Sequence, residues 1–217
     1  MPRSFQKARE PFSSYSHFIG AVLSGFGLLV MLLRAAIVDG VTGLTVAASL
    51  IFCLSLIALY SASSIYHFSL AGERVLRVLK KLDHSMIYVL IAGSYTPIVL
   101  KYMAYPHSIA FVAGIWAIAL FGIAVKLLWI DAPRLLGTIL YLVLGWAIVI
   151  DFDVVLTMPL PAILLLGAGG LAYTVGGLIY IAQKPNFGPV IGFHELFHLF
   201  VLAGSVCHYL LVLFYVL

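Results

Sequence analysis

Three short clusters hold the side chains of this chain best suited to binding a metal ion or moving a proton. Ser63 and His67 stand four apart in SSIYH, Asp83 and His84 are adjacent in KLDHSMIYVL, and His194 and His198 stand four apart in HELFHLF. Residues four apart on a helix share one face, one turn from each other. His194 and His198 can therefore offer two imidazoles to a single ion. With His67 as a third nitrogen donor, the set matches catalytic zinc, which takes three protein ligands and keeps one position open. Asp83 is then placed to orient a water at that position or take its proton. Ser63, one turn from His67, can support a ligand or bind a substrate oxygen. Glu195 makes HELFH a literal H-E-x-x-H pattern, in which the glutamate is the general base. It is a secondary candidate, because the motif lies in the last apolar segment and only 19 residues follow His198. His208 lies 14 residues beyond His194, about 21 Å along a helix. That is too far for the same coordination shell, so a cavity-lining or interhelical role is expected. His17, His84 and His107, near helix ends, read as interfacial or structural groups.

The elements that must position these residues are transmembrane helices. Of 217 residues, 64% are apolar and 9% are charged, far from the balance of a soluble domain, whose polar side chains must cover its surface. A helix needs about 20 residues to cross the hydrocarbon layer, and the apolar runs divide at charged, Pro or Gly-rich breaks. Spans are expected at 17–38, 41–66, 84–103, 107–130, 135–155, 160–183 and 190–216. The fold expected is therefore all-α, a single seven-transmembrane-helix bundle over residues 1–217. The fifth span is the least regular, since Asp151 and Asp153 interrupt its end. Residues 1–16 form a short basic and polar segment without the apolar core and small-residue cleavage site of a signal peptide. Glycines within the spans let helix backbones approach closely. Cys53 and Cys207 both lie in apolar stretches and read as free buried thiols.

The net charge of +4 is distributed as an orientation signal, which makes a nucleic-acid partner unnecessary. With a cytoplasmic N-terminus, ten of the twelve Lys and Arg residues fall inside: Arg3, Lys7, Arg9, Arg74, Arg77, Lys80, Lys81, Lys126, Arg134 and Lys184. Arg34 and Lys101 fall outside, along with Asp39, Asp151 and Asp153. This asymmetry follows the positive-inside rule, and an odd number of spans then puts the C-terminus outside. Arg74, Arg77, Lys80 and Lys81 read as orientation signals and anionic-lipid contacts. The same topology brings the end of the second span and the starts of the third and seventh to one membrane depth. Ionisable residues inside a membrane are costly and usually functional, and here those from three distant parts of the chain share a level.

At these residues the sequence resembles the bacterial hemolysin-III family, the prokaryotic branch of the progestin and adipoQ receptor (PAQR) proteins, related to alkaline ceramidases. The resemblance runs from SHFIGAVLSG in the first span to FHELFHLFVLAGSVCHY in the last. The family's S-x-x-x-H element matches Ser63 and His67, its acidic element matches Asp83, and its H-x-x-x-H element matches His194 and His198. Ser64, adjacent to Ser63, is the alternative for the serine of that element. The resemblance implies zinc held by the three histidines with Asp83 close by, and a cytoplasmic N-terminus. The long N-terminal domain of the animal receptors is absent, so hormone reception does not carry over.

The leading functional expectation is a zinc-dependent hydrolase of lipid amide or ester bonds in the plasma membrane, with membrane lipids as surroundings and an acyl lipid as substrate. In the alternative, zinc is structural and the protein is a non-enzymatic sensor or regulator of membrane state. A pore-forming cytolysin ranks lower, because no soluble, insertion-ready amphipathic segment is visible. An intramembrane metalloprotease using Glu195 also ranks lower. Protein partners and oligomeric state are not legible.

Overall fold

In the computed structural model, residues 7–188 and 190–217 are described; Arg3, counted above among the inner basic residues, lies outside them. The chain forms α1 (Pro11–Ile37), α2 (Gly43–Phe68), α3 (Glu73–Tyr102), α4 (His107–Leu128), α5 (Arg134–Gly145), α6 (Phe152–Leu156), α7 (Leu160–Ala182) and α8 (Phe193–Leu211). A 3₁₀ turn, Ala147–Asp151, joins α5 to α6, and a π turn, Val212–Val216, ends α8. Among the described residues there is no strand.

Six segments are long and apolar enough to cross a membrane: α1, α2, α4, Arg134–Leu156 (α5 with α6), α7 and Phe193–Val216. The third expected span lies within α3, whose 30 residues are ample in length but more polar than the other six. The helix begins three turns earlier than expected, at Glu73, and carries Arg74, Arg77, Lys80, Lys81 and Asp83 before its apolar part. Farther along come Ser85, Ser94, Thr96 and Pro97, all buried. The reason is its position. α3 packs on both α2 and α4, so its polar groups find partners within the protein. Thr96 Oγ1 donates to the Ala92 carbonyl at 2.8 Å and accepts from Trp116 Nε1 at 3.1 Å.

The first helix is inverted relative to a helix of a soluble bundle. On α1 the buried face is Ser13, His17, Gly20, Ser24, Gly27 and Met31, while Phe18, Leu23, Phe26 and Leu33 are exposed. Lipid is as apolar as leucine, so large side chains gain nothing by turning inward, and small residues there allow close packing. Consecutive helices pack on one another from α1 to α4, α5 packs on α7, α7 on α8, and α8 on α1, closing the ring.

The fifth segment is broken where the backbone bonding pattern changes after Gly145. Tyr95 of α3 bridges the break: its hydroxyl donates to the Gly145 carbonyl at 2.8 Å and accepts from the Ile148 N–H at 3.0 Å. Irregular backbone at membrane depth needs such partners, because lipid offers none.

Candidate metal centre

His67 lies in the last turn of α2, and His194 and His198 lie in the first two turns of α8. Local bonds hold both helix ends. Glu195 Oε2 accepts from the Gly192 N–H at 3.0 Å, and Asn186 Oδ1 accepts from the Phe193 N–H at 3.0 Å, so the first N–H groups of α8 are satisfied. Ser13 Oγ of α1 donates to Glu195 Oε1 at 3.1 Å. At the end of α2, the Glu10 N–H donates to the His67 carbonyl at 3.0 Å, and the Arg9 guanidinium lies 4.5 Å from the Tyr66 ring centroid. The segment before α1 is thereby fastened beneath the histidines.

The three imidazoles converge. Their ligand atoms lie within 4.8 Å of one another, and Nε2 of His67 is 3.4 Å from Nε2 of His194. A tetrahedral ion with nitrogens at about 2.0–2.1 Å holds them about 3.3 Å apart, so this pair already has ligand spacing. His198 is buried, with the Ser13 backbone in hydrogen-bonding reach of its ring. A buried imidazole fixed in this way presents its other nitrogen in a set direction. Imidazole donors suit zinc, and also copper, iron and nickel. The donor set fits a divalent transition metal.

Glu10 completes the arrangement at His67. Its Oε2 accepts from His67 Nδ1, which leaves Nε2 free to face the cluster. This carboxylate–imidazole pairing is the one that orients metal-binding histidines and strengthens their donor atom. The hydrogen bond from His67 holds the Glu10 carboxyl well below its usual range, at about 2. His17 of α1 stacks on His198 with ring centroids 3.8 Å apart and planes 10° apart, and meets Tyr60 edge-on at 5.0 Å.

The cluster borders a cavity of about 830 Å³ that extends through the bundle. Ser63 and Asp83 line it beside His67. Asp83 is buried, within electrostatic reach of the His67 ring and next to Ser63. The Ser63 hydroxyl faces the Asp83 carboxylate, so the two groups line the cavity as a pair. Ser64 turns away: its carbonyl accepts from Ser14 Oγ at 3.1 Å, and it borders a separate outer groove. Glu195 does not line the cavity, and both its carboxylate oxygens are engaged as described above. His84 lines the cavity. His208 lines it too, with its ring 5.4 Å from Tyr173. A Cβ at Gly169 would stand 2.4 Å from the His208 ring, so only glycine lets α7 approach α8 there.

Two participants escaped sequence reasoning. Read from sequence, His17 has only an interfacial or structural role, yet it sits on the polar buried face of α1 with Ser13 and Ser24, a periodicity that points inward. Glu10 precedes the helix, where no periodicity operates, and nothing in the sequence pairs it with His67.

Comparison with known proteins bears on the whole chain. The family described as "Haemolysin-III related" matches residues 5–209. "Hemolysin-3" of Bacillus cereus is 33% identical over 219 residues, covering 100% of this chain and 96% of that protein. "Hemolysin-3 homolog" of Bacillus subtilis (strain 168) is 34% identical over 217 residues, covering 97% and 96%.

Proposed function

The chain belongs to the haemolysin-III related family and is a multi-pass protein of the plasma membrane, and from that premise we propose that it is a zinc-binding hydrolase of lipid amide or ester bonds. We assign it seven spans, with α3 as the third, a cytoplasmic N-terminus and an outer C-terminus. One observation carries the hydrolase reading: the three imidazoles, Asp83 and Ser63 all face one large, mostly apolar cavity.

His67, His194 and His198 would hold the ion, which would supply Lewis acidity toward an acyl carbonyl and lower the pKa of water near it. The protein's own groups do the rest. Asp83 accepts the proton of the attacking water at its carboxylate and returns it to the leaving amine or alcohol. The Ser63 hydroxyl donates to the substrate carbonyl oxygen, where negative charge develops. Glu10 keeps the His67 ring oriented. The apolar wall of Leu142, Ile148, Phe152, Ile163 and Leu166 receives the acyl chain and limits water near the reacting bond.

In the competing reading the ion only clamps α2 to α8, and the protein acts as a sensor of membrane state. The cavity beside the cluster favours the hydrolase, because a clamp has no need of a large apolar chamber. Glu195 as the base has less support, since its carboxylate is occupied at the start of α8. The test is hydrolysis of ceramide-like and other acyl lipids by purified, zinc-loaded protein. Asp83→Ala is expected to abolish turnover while retaining metal and fold. A wild-type protein that holds zinc and stays folded but cleaves no acyl lipid would leave the clamp as the better reading.

A further inference from the structure

The same cavity carries charge at a second place. Lys80 of α3, Lys126 of α4 and Arg134 at the start of α5 all line it. They grade inward: Arg134 is exposed, Lys80 is half-buried, and Lys126 is 5% exposed. Gly137 makes room for the deepest of them, since a Cβ there would stand 2.7 Å from Lys126 Nζ.

No carboxylate neutralises these cations among the described residues. Asp131, which also lines the cavity, is engaged by Arg77. Lys81 donates to the Leu127 carbonyl. Among the described residues Lys126 has only the Tyr141 ring, 5.8 Å away, and Arg134 lies over the rings of Tyr180 and Phe193 at 4.9 and 5.4 Å. Lys80 makes no hydrogen bond or ion pair with any described residue. Orientation in the membrane requires positive charge in the flanking loops; it does not require an ammonium to be buried inside the bundle. A buried cation without a counter-charge is unfavourable unless a ligand provides one.

We propose that Lys80, Lys126 and Arg134 form an anion subsite for the phosphate head of an amphiphile whose acyl chain lies in the apolar part of the cavity. A phosphate monoester carries about −1.5 to −2 charges near neutral pH, which matches two ammoniums and a guanidinium better than a single carboxylate does. Phosphate is also the anion that Lys and Arg bind best together, as point charge and planar fork. His84 lines the same cavity and lies within electrostatic reach of Lys126, Lys80, His194 and His67. A head held by the three cations therefore shares its cavity with the imidazole cluster. This deepens the hydrolase reading, on which it rests for the fate of the lipid: the substrate class becomes the anionic acyl lipids.

The test is binding, which is independent of turnover. Full-length protein in phosphatidylcholine nanodiscs is titrated with lysophosphatidic acid, with a monoacylglycerol of the same chain, and with inorganic phosphate. Wild type is expected to bind lysophosphatidic acid at least about tenfold more tightly than the monoacylglycerol. Lys126→Gln and Lys80→Gln should each remove most of that preference, leave monoacylglycerol affinity unchanged, and spare the melting temperature in at least one variant. Arg74→Gln, exposed and outside the cavity, should change nothing. Inorganic phosphate should compete only weakly; binding as tight as the lipid would overturn the amphiphile and indicate a soluble anion. Equal affinity for the charged and uncharged lipids, or an equal loss of both in the two lysine variants, would overturn the subsite. Repeating the titration with metal-stripped protein separates the two ideas, because head-group preference should persist there even if no acyl lipid is ever cleaved.

Discussion

A histidine that binds a metal must aim one ring nitrogen at the ion while its other nitrogen is held in place. His67 meets both demands, with Nδ1 on Glu10 and Nε2 facing His194. Two predictions belong at this scale. His194→Ala should lose bound zinc, read by elemental analysis beside wild type, because two imidazoles alone leave too few protein donors. Glu10→Gln should weaken zinc affinity by about 10–100-fold while the protein stays folded, since partners of this kind typically contribute that much; competition with a chelating dye reads the change. Unaltered affinity in Glu10→Gln would mean that the carboxylate orients nothing of consequence. Of the site's residues, the two i, i+4 pairs were visible in the sequence, because helical spacing is a local property. Glu10 was not. It reaches His67 across 57 positions of sequence, by way of a backbone bond that only the packing of α1 on α2 creates.

Helix by helix, the apolar runs predicted the elements within a few residues, and the departures have physical causes. α3 starts at Glu73 because a helix can continue past the apolar region, where charged side chains reach water. The break after Gly145 falls inside an unbroken apolar run, so hydropathy could not show it. The break instead depends on Tyr95, whose hydroxyl serves the Gly145 carbonyl and the Ile148 N–H together. Tyr95→Phe should leave both groups without that partner and cost about 1–3 kcal/mol, measured as lowered thermal stability in detergent. A variant as stable as wild type would show that the turn finds other partners. The geometry at Gly169 belongs to the same scale: a side chain there would run into His208, so α7 and α8 pack closely only because one residue has none.

For the molecule as a whole, polar groups collect inside beside an apolar core, while many further large apolar side chains face outward, as lipid allows. Six segments are apolar enough to span on composition alone. The role of α3 therefore decides topology, and the prediction is sharp. If α3 crosses as proposed, the termini lie on opposite sides of the membrane. Reporters active on one side only, fused in turn to each end of the chain, should then give opposite answers, with the N-terminus inside. Matching answers at both ends would mean an even number of crossings. The ring of helices also brings two sets of groups to one cavity, imidazoles from α2 and α8 and cations from α3, α4 and α5.

The sequence by itself determined the solvent of this protein and the rare residues worth following. Composition and run length are sums over the chain and survive any arrangement of its helices. Spacing likewise told which side chains share a helix face. Only the tertiary structure decided that the nitrogens of α2 and α8 come within ligand distance, that Glu10 and His17 join them, and that Lys126 is enclosed rather than lodged at the interface. Those outcomes depend on which helix faces meet, and on side chains many positions apart. Periodicity shows that a residue points inward; the packing of neighbouring helices determines what it meets there.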